Sequence, residues 1–252
     1  APKMDRPEND VTVSKTGIDI QACLAYAKTK NVRLILWLNW KDLDRCGTEH
    51  VFALYEKWGV AGVKIDFMDR DDQDMVNWYE KTTRIAAAHK LLVDFHGAYK
   101  PTGMDRAWPN QITREGVMGN EYSKWSKKIT PQHTCTLPYT RLMVGPGDFT
   151  PGGFLNRQPE TFDNNSPAKE LGTRARALAL CMVYDSPMLV LCDDPQHYRG
   201  QPGAEFLRQL PTVWDESIAL QGEIGQFYAM ARRSGNDWYF GSITDGSARE
   251  LS

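Results

Sequence analysis

What these 252 residues lack already excludes several kinds of protein. No run of about 18 apolar residues occurs, so no segment has the length of a membrane-crossing helix. No stretch of Lys and Arg is dense enough to follow a phosphate backbone, and the net charge is −2, so nucleic acid is not an expected partner. The five cysteines (Cys23, Cys46, Cys135, Cys181, Cys192) include no CxxC pair. Odd in number and scattered, they fit neither a disulfide framework nor a zinc site. There is no G-x-S-x-G elbow of a serine hydrolase and no H-E-x-x-H metal motif, and His50, His89, His133 and His197 lack ligand spacing to one another. No strand candidate leads into a phosphate-binding loop. The Gly/Pro stretch at 145–153 (GPGDFTPGG) lacks the P-loop Lys and Ser/Thr, and reads either as a loop over a site or as a surface turn.

What is present is an alternation of short apolar runs with helical segments. Strand candidates are residues 33–38 (RLILWL), 62–67 (GVKIDF), 91–95 (LLVDF), 115–119, 141–144 and 187–191 (PMLVL). Four of these are apolar almost throughout, as strands buried on both faces should be. Helical spacing of apolar residues marks 19–30, 48–58, 71–89 and 168–183. The first three strands begin about 29 residues apart, the length of one strand–helix repeat. Parallel strands require such crossovers, so the chain is read as α/β with a parallel sheet. The missing Gly-rich loop favours a (β/α)8 TIM barrel over an open doubly wound sheet. Residues 1–214 would then be its last six strand–helix units, an incomplete barrel with the first strands missing. After about residue 215 the pattern changes to strands at 225–232 and 237–244 around a Ser-Gly-Asn turn, the expected start of a C-terminal all-β domain at 215–252.

Chemistry-bearing residues gather at strand ends. In GVKIDF, Lys64 and Asp66 share one face of the strand while Val63 and Ile65 share the other. A charged pair in so apolar a run is either a structural ion pair or a functional one at a barrel mouth, with Asp66 as nucleophile and Lys64 keeping it anionic. Glu115 and Glu121 lie six positions apart in REGVMGNEY, on one side if the segment is extended. They are candidates for a hard cation such as Ca²⁺ or for a general acid, or are plain surface residues. His96 ends the 91–95 strand, with Asp94 as its expected partner. Asp148 stands in the Gly/Pro loop. The acids Asp69, Asp71, Asp72 and Asp74 read as a solvated helix N-terminus. Eight tryptophans, several in loop segments, offer flat apolar faces suited to sugars as well as to packing.

At GVKIDFMDR, FHGAYKPTG (95–103), REGVMGNEY (114–122) and GPGDFTPGGF (145–154), the sequence resembles glycoside hydrolase family 97, in its retaining α-galactosidase branch. The resemblance implies an N-terminal β-sandwich, a central barrel and a C-terminal β-domain, so both ends of this chain are expected to be cut or processed. In the inverting branch the resemblance implies a base carboxylate just after the residue matching His96, where this chain has Gly97. In the retaining branch it implies a nucleophile at Asp66, an acid/base at Glu121, and calcium held with the help of Glu115 and Glu121. Trp37, Asn39, Trp40, Lys64, His96 and Asp148 are the candidate sugar-binding wall. The expected activity is therefore hydrolysis of terminal α-galactosides in small oligosaccharides by a periplasmic or secreted monomer or homodimer. An inverting α-glucosidase of the same family and a non-catalytic carbohydrate-binding protein stay as alternatives.

Overall fold

The structure is a computed structural model that describes residues 9–251. The chain divides into two compact units, residues up to 99 with 103–114, and residues 100–102 with 115 onward.

In the first unit, β1 (Ile35–Asn39), β2 (Gly62–Asp66), β3 (Leu92–Phe95) and β4 (Gln111–Arg114) form a parallel sheet in sequence order. Between and before them run α1 (Ile20–Thr29), α2 (Trp40–Cys46), α3 (Thr48–Trp58), α4 (Gln73–Ala88) and the single turn α5 (Met104–Ala107). The helices begin where side chains satisfy free N–H groups. Asp19 caps α1 by accepting from Ala22 at 3.0 Å, and Asp72 caps α4 by accepting from Met75 at 3.3 Å. The acidic run before α4 is thus a helix start, with Asp72 also paired to Arg70 at 2.6 Å. Val63, Ile65, Val93 and Phe95 are fully buried and join Leu43, Val51, Phe52, Met75 and Tyr79 in one core. Full burial of each such side chain is worth about 1.5–3 kcal/mol, which fixes the strand register that turns Lys64 and Asp66 to the other face.

The second unit carries a two-stranded parallel pair, β5 (Asn156–Arg157) with β6 (Glu170–Leu171), the helices α6 (Pro131–Thr136) and α7 (Arg174–Val183), and an antiparallel meander. The meander is β7 (Glu216–Glu223), β8 (Phe227–Ser234) and β9 (Asp237–Thr244). The Ser-Gly-Asn signal is the β8–β9 turn, closed by the Ser234–Asp237 pair with Gly235 at φ +61°. Leu180, Met182, Val183 and Tyr184 pack with Met230 and Ile243 to make its core.

Three strand expectations fail. Residues 115–119 follow β4 instead of forming a strand, because Gly116 at φ +48° turns the chain. Glu115 and Glu121 therefore do not alternate along one extended segment. Residues 141–144 form a 3₁₀ turn, pinned by an arginine whose bonds go to loop carbonyls. Residues 187–191 have no ladder partner among the described residues, and Pro187 has no N–H to give one. The helix expected from 168 begins only at Arg174, where the Thr173 hydroxyl accepts from the Arg176 N–H at 3.2 Å. β7 and α2 are elements that periodicity did not reveal.

Candidate active site

Directly paired residues of a ladder point to the same side. The register pairs Trp37 with Lys64, Asn39 with Asp66, and Lys64 with Asp94, so these five residues share one face of the first unit's sheet. The strands carry them toward their C-terminal ends.

Asp66, the last residue of β2, is 8% exposed. Its Oδ2 accepts from Trp37 Nε1 at 3.0 Å, and its Oδ1 accepts from the Phe67 N–H at 2.6 Å. Two donors aimed at one carboxylate fix its direction. The chain then turns sharply. Phe67 takes φ +69° and Asp69 φ +48°, left-handed values that cost a non-glycine residue about 1–2 kcal/mol each. The turn is closed by the Asp69 N–H donating to Gly97 O at 2.8 Å. Burial chiefly, and then the charge of Asp66, push the Asp69 carboxyl above its usual range.

Gly97 fits around this carboxylate. It has φ +56°, and a Cβ there would stand 2.8 Å from Asp66 Oδ1 and 2.8 Å from Phe67 N. The backbone of residue 97 lies so close to Asp66 that no side chain can share the space.

The other sequence candidates in this unit divide. Lys64 Nζ lies 3.4 Å from Asp94 Oδ2 on the neighbouring strand. His96 is buried and donates its backbone N–H to Ile65 O at 2.8 Å. Trp37 is 47% exposed, with its ring edge-to-face against Phe67 at 5.9 Å. Asn39 caps α2 by accepting from the Lys41 N–H at 2.9 Å. Trp40 packs edge-to-face on Trp78 at 5.6 Å, on the core.

The second unit holds Glu115, Glu121 and Asp148. Glu121 lies in the 3₁₀ helix Asn120–Lys124, half-buried, with Lys124 Nζ 3.3 Å from its Oε2. That helix is tied to the Gly/Pro loop, since the Asn120 N–H donates to Phe149 O at 2.8 Å. Gly119 permits the approach: a Cβ there would meet Phe149 O at 2.9 Å. Asp148 is buried in the same loop.

Arg141 connects the segments. Its guanidinium donates to Glu115 O at 2.8 Å (Nη2) and 3.0 Å (Nε), to Gly116 O at 3.1 Å, to Gly145 O at 2.8 Å and to Pro146 O at 2.9 Å. One planar five-donor group thus fastens the backbone of Glu115 to the 145–146 loop. Sequence reasoning missed Arg141 and Phe67, and read Asp69 only as part of a helix start. An arginine that bonds main-chain carbonyls leaves no sequence pattern, and left-handed non-glycine residues leave none either. For a cation, the Glu115 and Glu121 carboxylates are of the oxygen-donor type that a hard ion such as Ca²⁺ takes.

Comparison with known proteins bears on all of these residues. The model described as "Glycoside hydrolase 97" matches residues 2–117, and the one described as "Glycosyl-hydrolase 97 C-terminal, oligomerisation" matches residues 213–252. A retaining alpha-galactosidase of Bacteroides thetaiotaomicron is 41% identical over 93% of this chain and 36% of its own length. A probable retaining alpha-galactosidase of Streptomyces bingchenggensis is 40% identical over 91% of this chain and 34% of its own length. The chain thus spans about a third of the curated relatives it matches. Among solved structures, a family 97 enzyme of a Pseudoalteromonas species in complex with panose superposes with a TM-score of 0.84 at 35% identity, covering 95% of this chain and 40% of that one.

Proposed function

The chain belongs to glycoside hydrolase family 97, and from that premise we propose that it carries the catalytic residues of a retaining, exo-acting α-galactosidase. The observation that carries the proposal is the Asp66 carboxylate at the end of β2, held by Trp37 Nε1 and the Phe67 N–H, with Gly97 where the inverting branch requires a base. The Asp66 carboxylate already stands 2.8 Å from where a side chain at 97 would begin.

In this reading Asp66 attacks the anomeric carbon while Glu121, protonated, gives its proton to the leaving oxygen. The C–O bond to the leaving group breaks as the bond to Asp66 forms. Glu121 then takes a proton from water, whose oxygen displaces Asp66 and leaves the α configuration unchanged. The mechanism requires the two carboxyl groups to lie about 5–5.5 Å apart. Lys64, with Asp94, presents an ammonium to sugar hydroxyls, and Trp37 presents a ring face. Glu115 and Glu121 are the proposed calcium ligands, and a bound ion would supply positive charge beside them. The strands β1–β4 are proposed as consecutive units of a (β/α)8 barrel. Export to the periplasm or the medium, testable by cell fractionation, belongs to the same reading. So does a homodimer, supported by the description of the C-terminal model and checked by light scattering.

Asp66→Gly is expected to abolish turnover of nitrophenyl α-galactoside by the complete gene product, and azide to restore it as β-galactosyl azide. A folded variant that azide does not rescue counts decisively against Asp66 as nucleophile. A second reading, the inverting α-glucosidase, draws on the neighbour solved with panose. NMR of the first-formed anomer separates the two, since retention gives the α-anomer.

A further inference from the structure

The 3₁₀ helix that carries Glu121 also carries Tyr122 and ends at Trp125, two aromatic residues that the mechanism does not use. Tyr122 is 39% exposed and Trp125 is 61% exposed, although both are large apolar rings. They are not loosely held. The Trp125 and Ser126 N–H groups both donate to Tyr122 O at 3.0 Å, and the two rings meet edge-to-face at 5.9 Å. In a 3₁₀ turn, residues three apart eclipse one another. Glu121 and Lys124 therefore form one column, and Tyr122 and Trp125 form the column beside it. Lys124 links the columns, with Nζ 3.3 Å from Glu121 Oε2 and 4.7 Å from the centre of the Trp125 ring.

This arrangement has a chemical consequence that rests on Glu121 being the acid/base. A general acid must come within about 2.6–3.2 Å of the oxygen it protonates. In glycoside hydrolysis that oxygen leaves with the aglycone, so groups fixed beside the acid border the leaving group and not the galactosyl ring. Exposed aromatic faces accept the apolar C–H faces of a pyranose, and an ammonium at their edge donates to its hydroxyls. We propose that Tyr122 and Trp125 form a stacking platform for the leaving-group sugar, with Lys124 as its hydrogen-bond donor, which makes the enzyme selective for saccharide leaving groups.

The test compares kcat/KM of the complete gene product for an α-1,6-galactosyl disaccharide and for α-galactosyl fluoride, whose leaving group has no ring to stack. Trp125→Ala should lower the disaccharide-to-fluoride ratio roughly tenfold, mainly through KM, the order expected for loss of one aromatic stacking contact. Trp125→Phe, which keeps a ring, should restore most of the ratio, and Tyr122→Ala should lower it by roughly threefold. A variant that slows both substrates equally, or leaves the ratio unchanged, overturns the platform. Wild-type protein that hydrolyses the fluoride but not the disaccharide overturns it too. If the folded wild type hydrolyses neither galactoside, the α-galactosidase reading itself falls, and that result is distinct from a preserved ratio.

Discussion

Replacing Gly97 with alanine tests the geometry around Asp66 most directly. The substitution has two costs. At φ +56° an L-residue loses about 1–2 kcal/mol relative to glycine. The new methyl would also stand 2.8 Å from Phe67 N, 3.0 Å from Phe67 Cα and 2.8 Å from Asp66 Oδ1. Two of these three atoms are backbone inside a turn closed by the bond from Asp69 N to Gly97 O, so they yield only by distorting it. Overpacking of this kind costs about 1–3 kcal/mol, which gives a total near 2–5 kcal/mol in urea unfolding. Asp66 can move away only by giving up the Phe67 N–H or Trp37 Nε1, and a displacement of about 1 Å at a reacting group costs on the order of 100-fold in rate. Gly97→Ala should therefore lose about two orders of magnitude in kcat/KM on α-galactosyl fluoride. In an Asp66→Ala background the stability penalty of Gly97→Ala should shrink by about 1 kcal/mol, because one of the three clashes is gone. A Gly97→Ala protein with wild-type stability and activity would refute the argument, as would an equal penalty in both backgrounds.

Other groups give further checks. His89 bridges two carboxylates of α3, Nδ1 to Glu56 at 2.8 Å and Nε2 to Glu49 at 2.9 Å, and the bonds to Glu56 and Glu49 raise its pKa above 6.5. This clip between α3 and the end of α4 should stabilise fully below about pH 6.5 and weaken as pH rises through the raised value. His89→Gln should flatten that loss in unfolding measured from pH 6 to 9, and an unchanged profile would dismiss the clip. Glu170 is fully buried, and desolvation pushes its carboxyl to about 7 against the weaker pull of Arg176 and the Gly153 N–H. A raised acid makes the fold lose stability between its unfolded value near 4.5 and about 7, so Glu170→Gln should gain stability at pH 8, at most about 3 kcal/mol. No gain at pH 8 would mean that the carboxylate is better satisfied than its burial implies. Gly222→Ala would place a methyl against the Tyr139 hydroxyl, which donates to Phe227 O at 2.8 Å. It should cost about 1–3 kcal/mol in urea unfolding, and Tyr139→Phe should recover part of it, since the hydroxyl is the atom the methyl meets first and ring Cζ stands back at 2.9 Å.

The part of the site that sequence reveals is the part built from repeating structure. In GVKIDF a period of two separates Val63 and Ile65 from Lys64 and Asp66, and the ladder preserves that separation. The apolar runs of β1 to β3 and the helix ends at Asp19 and Asp72 were legible for the same reason. β7 was not, because all eight of its residues are exposed and Ser217, Gln221 and Gly222 are poor strand formers. The run at 187–191 failed in the opposite sense: it has strand composition but no partner to bond. Composition can propose a strand, while only a neighbour can make one. Likewise Trp40 and Trp37 are indistinguishable as sequence, yet one is used for packing and the other donates to Asp66.

The two proposed carboxylates are held by different physics, and this decides how each should respond to mutation. Asp66 ends a strand bonded on both sides, and its orientation comes from the ladder, one indole N–H and one backbone N–H. Glu121 sits on the short 3₁₀ helix Asn120–Lys124 and not on a strand. Its segment is held through the bond from Asn120 N to Phe149 O and, further back, through Arg141 on the carbonyls of Glu115 and Gly116. Removing Arg141 would leave several carbonyls, in a region where that side chain is 7% exposed, without their shared donor. Each unsatisfied group costs about 1–3 kcal/mol, a penalty that a lysine with one nitrogen cannot offset at every carbonyl. Positioning of the proposed acid therefore depends on a residue that holds the main chain ahead of it. Substitutions at Arg141 should accordingly impair substrates that need a proton on the leaving group more than α-galactosyl fluoride, which does not.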